Sequence, residues 1–586
     1  KGSIGDFIGP VAISVIVALL ASFALSVSII PALAARYLNP EGPTGRHRWW
    51  QAGLQLGAAT PPYRRLLSLA VTRPRITMTL TASVALGGFV AASQLGSQFF
   101  PGADRDQFEI EVWYSPDTSI AATLAGTRRI EEQVRREEGV KQIDWLVGAS
   151  YPVVYYNAVE NRDDTPSYAH AIVTATDVES AARLVATLQG TLSERFVDAR
   201  IVVSAFGQGP PVDAPVAFAL YGPSTDELVR FGAEVRRVMH EVPGLTHSSA
   251  SIDGGQPKLR LDVDEYAAHL SGLTLDDISA QLQTTLDGRV GGSVLRDTES
   301  LAVRVRVADA VRGDLAQVSD LRLLSANGQN GGQWIPTSAL GELTLVPEKA
   351  GVTRRNGERV NNIYGYVSDG VLPIEVARAV LARLEAEGFS LPPGYRLEVA
   401  GESEKQAEAV GSLVAYAPLL GVAMATTIIL SFSSLTLGAL IGTVALLSVG
   451  LGMLSLFISG YPLGFNPLIG SAGLIGVAIN GSIVVLAAIL ANPAARAGEL
   501  AAIVDEVIHS TRHLVATSLT TTAGFGPLLL SGGNFWPPLA VVIAGGVALS
   551  LILSIGFTPA CYALLRQRAV KRLVSPAVAA SVGEPA

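Results

Sequence analysis

Hydrophobic and polar positions along this chain follow two different periods. Asn466–Ala491, NPLIGSAGLIGVAINGSIVVLAAILA, runs 26 residues without a charged side chain. At 1.5 Å per residue, a helix of that length crosses a hydrocarbon core of about 30 Å. Six more stretches of the same kind are Phe7–Ala35, Ile76–Leu95, Leu413–Phe432, Leu435–Ile458, Leu514–Leu530 and Pro538–Leu565. The pattern therefore predicts seven membrane spans. Phe7–Ala35 is too long for a signal peptide and lacks a small-residue cleavage pattern behind a basic start.

Between the second and third of these stretches the period changes. Gln107–Tyr114 alternates as a strand, Ser119–Glu137 has helical spacing, and Val140–Val147 alternates again. The order repeats in Ala169–Thr174, Ser180–Arg195 and Ala199–Ala205, and then in Val216–Tyr221, Asp226–Glu241 and Leu245–Ile252. After an insertion it closes with Arg359–Val367, Pro373–Glu387 and Tyr395–Glu402. Two split βαβ pairs predict two ferredoxin-like subdomains. The fold class expected is a membrane α-helical bundle carrying an inserted α+β region. Its insertion, 291–347, is strand-rich and holds the turn Asn327–Gln333.

Composition agrees with a membrane protein that has a large water-exposed part: 49% of the 586 residues are hydrophobic and 16% charged. The net charge of −8 hides a split. Residues 98–408 hold 45 of the 51 acids and 29 of the 43 bases, so the remainder is net basic. An acidic block lacks the footprint of a nucleic-acid binder. Basic residues mark the inner side of a membrane. Arg36, Arg46, Arg48, Arg64, Arg65, Arg73 and Arg75 make 36–75 a cytoplasmic linker, with Tyr63–Val71 as an amphipathic helix and Trp49 and Trp50 as interfacial anchors. Arg496, Arg512 and a tail with Arg566, Arg568, Lys571 and Arg572 lie on the same side. Ser459–Phe465 and Ser531–Pro537 carry no base and fall outside, and the acidic block falls with them.

Candidate chemistry is sparse. The single cysteine, Cys561, lies in an apolar run and builds no disulfide framework. No nucleophile elbow, P-loop or zinc motif is present, so neither an enzyme nor a cofactor is expected. Gly470, Gly473, Gly476 and Gly481 predict close helix packing around Asn480, whose amide needs a partner in lipid. No acid, lysine, arginine or histidine falls in the interior of the seven spans, and Asp6, Arg512 and His513 sit at edges. A proton relay needs an ionisable group in the membrane, so this chain cannot complete one alone. Ser26…Pro31-Ala32 and Ser554…Pro559-Ala560 share S-x4-P-A, as tandem halves of a transporter would.

Several segments together resemble the resistance–nodulation–division (RND) exporters. They are Phe99-Phe-Pro-Gly-Ala-Asp-Arg105, Gln208-Gly-Pro-Pro-Val212 with Val216–Gly222, and Pro257–Asp264 with Gly272–Asp277 and Leu286–Gly288. Gly476–Leu486 is similar to the family's tenth span. The match is to the C-terminal half plus the sixth span, which implies a missing N-terminal half of the same protein. The implied layout is 1–35 the sixth span; 36–75 the linker; 76–97 a span; 98–211 the first porter subdomain; 212–290 and 348–408 the second. In that layout 291–347 is a docking insertion, 409–565 a five-helix block and 566–586 the tail.

The resemblance further implies a homotrimeric, proton-driven pump in the inner membrane of a Gram-negative cell, its porter part in the periplasm. A periplasmic adaptor and an outer-membrane channel complete it, and small amphiphilic compounds of the multidrug branch are the expected substrates. The family's fourth-span aspartates are outside this chain, and its tenth-span lysine falls at Asn480, where an amide cannot switch charge. Thr517 falls at the functional threonine of the eleventh span, beside Ser518, Thr520, Thr521 and Thr522. Trp145, Tyr151, Tyr155 and Tyr156 fall near the family's aromatic pocket; Tyr155 and Tyr156 are adjacent, so on a strand at most one faces it. A metal or lipid exporter is the nearest alternative. Copper(I) would want thioether or thiolate ligands, and the porter block offers only Met239 and no cysteine. A non-transporting scaffold of the same fold is the third reading.

Overall fold

A computed structural model describes residues 3–37, 60–152, 154–155, 162–252, 257–325, 332–347 and 351–568, and every structural statement below concerns these. Trp49, Trp50, Tyr156, Lys571, Arg572 and most of the Asn327–Gln333 turn lie outside the described residues.

The membrane part opens with α1 (Ser3–Tyr37), α2 (Thr60–Thr72) and α3 (Pro74–Ala92). It resumes after the sheet-rich block with α8 (Glu402–Phe432), α9 (Leu435–Ser459), α10 (Phe465–Ala491), α11 (Leu500–Gly524) and α12 (Trp536–Ile552). Six helices are long and apolar enough to cross a membrane: α1, α3, α8, α9, α10 and the helix from Trp536 to Arg568 that begins with α12. The expected span Leu514–Leu530 is not among them. Its helix starts at Leu500, in a stretch with Asp505, Glu506 and Arg512. It stops at Gly524, and Pro527 opens a separate short turn, Gly526–Leu530.

Backbone contact through small residues builds the bundle. A Cβ on Gly88 of α3 would stand 1.8 Å from the Gly450 carbonyl oxygen of α9, and one on Gly450 would stand 2.1 Å from that of Ala85. Only glycine admits such an approach. The most covered span is α9, 56% buried against 39% for α10, so α10 has an open face rather than a central position. Of its glycines, Gly470 and Gly481 sit at close approaches, whereas Gly473 and Gly476 face outward. The apolar stretch of α1 is 0% buried and that of α8 6%, which leaves both to lipid or to polypeptide beyond this chain.

The block between α3 and α8 contains the two expected ferredoxin-like units. The first runs β1 (Gln107–Trp113), α4 (Ile120–Val134), β2 (Val140–Val147), β3 (Tyr168–Ala175), α5 (Val178–Arg195) and β4 (Arg200–Ala205). Its antiparallel sheet has the order β2-β3-β1-β4. Side chains alternate across it, so Phe108, Ile110, Val112, Ile143, Ala171, Val173, Ile201 and Val203 meet the two helices in one buried core.

The second unit comprises β5 (Val216–Tyr221), α6 (Thr225–His240), β6 (Leu245–Ala250), a short β13 at Arg354–Arg355, β14 (Glu358–Val367), α7 (Pro373–Ala386) and β15 (Arg396–Gly401). Its sheet repeats the topology, with β14 between β6 and β5 and with β15 on the other side of β5. Strand pairing makes the inserted part longer than 291–347. The strand β7 (Pro257–Val263) pairs with β12 (Gly341–Pro347), so 257–290 belongs with the insertion. There β8 (Arg289–Arg296) and β9 (Glu299–Val305) form a hairpin exposed at every position, and β10 (Arg322–Ser325) pairs with β11 (Gln333–Pro336). The chain leaves the second sheet at Gly401 and enters α8 at Glu402, so one continuous helix joins this sheet to the membrane. At the same junction Phe100 stacks on Phe535, ring centroids 6.0 Å apart, and Phe99 packs edge-on against Phe465.

Candidate functional site

The open face of α10 borders a cavity of about 110 Å³. Asn480, Gly481, His513, Thr517, Ser518, Thr521, Ser550 and Ser554 line it along with apolar side chains. At about 30 Å³ per water it has room for a few molecules, and its wall offers polar partners for them. Asn480, Thr517, Ser518 and Thr521, distant in sequence, thus share one space. Asn480 and Thr517 are exposed, while Ser518 and Thr521 are half-buried. The Thr517 hydroxyl donates to the His513 carbonyl at 2.8 Å, the back-bond common for hydroxyls in spans. His513, expected only at an edge, faces this cavity.

From Ser554 in the cavity wall a chain of buried hydroxyls runs inward. Ser482 Oγ is 3.2 Å from Ser554 Oγ and 2.9 Å from Thr558 Oγ1. A π turn at Leu553–Phe557 follows α12 and widens the helix by one residue between Ser554 and Thr558. Four residues apart, Ser554 and Thr558 share one helix face, and both reach Ser482. Gly481 is needed for the approach, because a Cβ there would lie 2.6 Å from Ser554 Oγ.

A second polar site occupies the helix-free face of the first sheet. The β1 alternation that buries Phe108, Ile110 and Val112 puts Gln107, Glu109, Glu111 and Trp113 on that face. Register places Glu111 opposite His170 and Val202, and Trp113 opposite Tyr168 and Arg200. His170 Nε2 stands 3.3 Å from Glu109 Oε2, and Ser204 donates to the same carboxylate at 3.2 Å. Tyr168 donates to Glu111 at 2.6 Å. Burial raises the Glu111 pKa above the usual carboxylate range, and the neighbouring charge of Glu109 adds to this; His170, the Tyr168 hydrogen bond and Arg162 oppose it. The same burial and the Glu111 charge push the Tyr168 phenol far up. Arg200 lies over the Trp113 ring at 4.2 Å, and Trp113 reaches Tyr366 of the second sheet, centroids 5.9 Å apart. Carboxylates with aromatic walls attract cations by charge and by ring quadrupole together.

The expected aromatic residues divide. Tyr151 packs edge-on against His170, and its backbone N–H donates to His170 Nδ1 at 3.1 Å, which puts it at this site. Tyr155 donates to Gln107 at 2.5 Å and lies under Arg105. Trp145 belongs elsewhere: it shares the helix-side face of β2 with Ile143 and Val147 and packs into the core. Tyr156 is outside the described residues. The sequence reading missed Glu109, Glu111 and His170, although the alternation Gln-Phe-Glu-Ile-Glu-Val-Trp already put both acids on one face. Asp276 and Asp277 open a helix, with Thr274 and Asp277 forming a capping box. Among the described residues no group of three or more His, Cys, Asp or Glu is arranged to hold a metal ion.

A sequence profile described as the AcrB/AcrD/AcrF family matches residues 1–566. The cobalt-zinc-cadmium resistance protein CzcA of Cupriavidus metallidurans is 24% identical over 592 residues, covering 96% of this chain and 53% of that protein. The nickel and cobalt resistance protein CnrA of the same organism is also 24% identical, covering 98% and 53%. The swarming motility protein SwrC of Bacillus subtilis is 21% identical, covering 96% and 52%. The chain thus spans about half the length of the curated relatives it matches. A crystal structure of a heavy metal efflux pump superposes with a TM-score of 0.73 at 20% identity, over 88% of this chain and 52% of that one. That likeness establishes the fold. These resistance proteins and this pump lie outside the hydrophobe and amphiphile branch expected from sequence.

Proposed function

The chain belongs to the AcrB/AcrD/AcrF family of RND transporters, and from that premise we propose that it is the C-terminal half of an inner-membrane efflux pump that exports cations by proton antiport. The observation that carries the cargo class is the face formed by Glu109, Glu111 and His170. Divalent transition-metal ions are the first reading. It is supported by the resistance proteins among the relatives and by oxygen and nitrogen donors, which suit cobalt, nickel or zinc better than copper(I). An amphiphilic organic cation is the second. Trp113, Tyr151, Tyr168 and Tyr366 favour it, as does the lack, among the described residues, of a ready three-ligand group.

Coupling is assigned to the cavity at Asn480, Thr517, Ser518 and Thr521, completed by acids from the N-terminal half. The two sheet units act as porter subdomains in the periplasm. The exposed β8–β9 hairpin, with Val294, Leu295 and Val305 uncovered, supports assembly into a homotrimer. An adaptor and an outer-membrane channel dock on the inserted part. The protein transports and catalyses no covalent step, and it has no nucleic-acid partner.

The test uses the full-length protein in proteoliposomes under an imposed pH gradient, with cobalt(II) and ethidium as probes. Cobalt export that in a Glu109→Gln, Glu111→Gln double variant needs at least tenfold more cobalt to reach its half-maximal rate is the expected result. Ethidium export without cobalt export would select the second reading. Movement of neither probe would overturn the proposal.

A further inference from the structure

Every polar side chain that lines the Asn480 cavity is neutral at all physiological pH values except one. From α10 come Asn480 with Val477 and Val484; from the last span come Ser550, Leu551 and Ser554. From α11 come His513, Leu514, Thr517, Ser518 and Thr521. No Asp, Glu, Lys or Arg lines the cavity among the described residues. Two of the charged sites at the first turns of α11 are paired. Arg64 of α2 pairs with Asp505 at 2.6 Å, and Asn492 donates to Glu506 at 2.9 Å. Arg65 lies on the exposed side of α2, and Arg496 lies in the short turn after α10. Arg512 precedes His513 on α11 and is exposed.

We propose that His513 is the proton-binding residue this chain contributes to the coupling cavity, taking the role that the amide at Asn480 cannot fill. The inference rests on the antiporter reading above. Histidine is the side chain whose ordinary pKa, near 6.5, lets it gain and lose a proton around neutral pH. A neutral imidazole is tolerated against Leu514 and the hydroxyls. An imidazolium in the same place is costly unless an anion faces it. The cavity lies on the α10 face that this chain leaves open, so an anion facing His513 would have to come from outside these residues.

Proton uptake by His513 therefore favours an arrangement that brings an anion to the cavity, and proton loss releases it. The step is balanced: one imidazole nitrogen accepts a proton from one side of the membrane and returns it to the other. The His513 carbonyl already holds the Thr517 hydroxyl, which fixes that residue one turn away in the same wall. Thr517 is thus a positioning residue in this scheme, and the residue that titrates is His513.

The experiment measures proton flux driven by cobalt(II), or by ethidium if that is the probe exported, in proteoliposomes of the full-length transporter between pH 5.5 and 8.5. Wild-type flux should show an inflection near the histidine range. His513→Gln should remove that inflection and lower flux roughly tenfold, with unchanged probe binding and unchanged melting. His513→Asn, which is shorter and equally neutral, should do the same; if His513→Gln does not fold, this variant decides the matter. Proton uptake on probe binding, read by calorimetry in two buffers of different ionisation heat, should fall in either variant. An unaltered pH profile and unaltered proton uptake would overturn the inference and leave the antiporter reading standing. A wild-type protein that moves the probe without protons would overturn the antiporter reading itself.

Discussion

The membrane helices and the first sheet both bury polar side chains, but by opposite means. Between the helices these are neutral and small: Ser448, Ser471, Ser482, Ser550, Ser554 and Thr558, each bonded to a carbonyl or to another hydroxyl. On the sheet they are ionisable and packed among rings: Glu109, Glu111, His170 and Arg200 beside Trp113 and Tyr168. The difference follows from what surrounds each region. Lipid offers no water to a charge, so the helices keep to groups that satisfy themselves. The sheet face meets a second sheet and solvent, and a charge there can be paired, hydrated or matched by a cargo. The proposed coupling and cargo sites thereby fall in separate chemistries, with His513 the exception at the edge of the first.

The comparison breaks most readily at the helix contacts. Gly450→Leu drives a side chain into the Ala85 carbonyl and should cost about 3 kcal/mol or more, abolishing recovery of folded protein from detergent. Recovery comparable to wild type would mean that α3 and α9 are not so close.

Next is the sheet. Tyr168→Phe removes the hydroxyl that holds Glu111 and should destabilise by about 1–3 kcal/mol in thermal unfolding. Glu111 also gives a pH signature. Its folded-state pKa is raised above the ordinary 4.5, so the folded protein holds this proton more tightly than the unfolded chain does. The stability contributed is present below pH 4.5 and is lost as pH rises through the raised value. Glu111→Gln should therefore gain on wild type with rising pH above 4.5, and a melting difference independent of pH would contradict the assignment.

Smaller effects belong to the hydroxyl chain. Ser482→Ala leaves Ser554 and Thr558 without their shared partner and should cost about 0.6 kcal/mol, typical of hydrogen bonds between spans. Smallest is the exposed pair Arg129–Asp198, where Arg129→Ala should change melting by less than about 0.5 kcal/mol. A large loss there would show that charge pairing outside the sheet face carries stability after all.

Much of this arrangement could be read from the chain. Alternation and helical spacing located both βαβ units to within a few residues, since each strand buries every second side chain against helices of its own unit. What could not be read is which face of a membrane helix another helix covers. Gly473 and Gly476 share the spacing of Gly470 yet face outward, because burial depends on the partner rather than on the helix itself. His513 looked like an edge residue for the same reason: its distance from the span ends is visible in sequence, but the direction of its side chain is not. Trp145 was drawn toward the pocket by residue type, whereas its place between Ile143 and Val147 on one face of β2 already put it in the core. The acids of β1 were missed by attending to aromatic residues and not to alternation.

The division between cargo selection and coupling is tested most directly by the cobalt(II) dependence of proton flux through the full-length transporter. A Glu109→Gln, Glu111→Gln variant should raise the half-maximal concentration at least tenfold and keep the maximum, while His513→Gln should lower the maximum and keep the half-maximal concentration. Both variants shifting the same parameter would contradict that division.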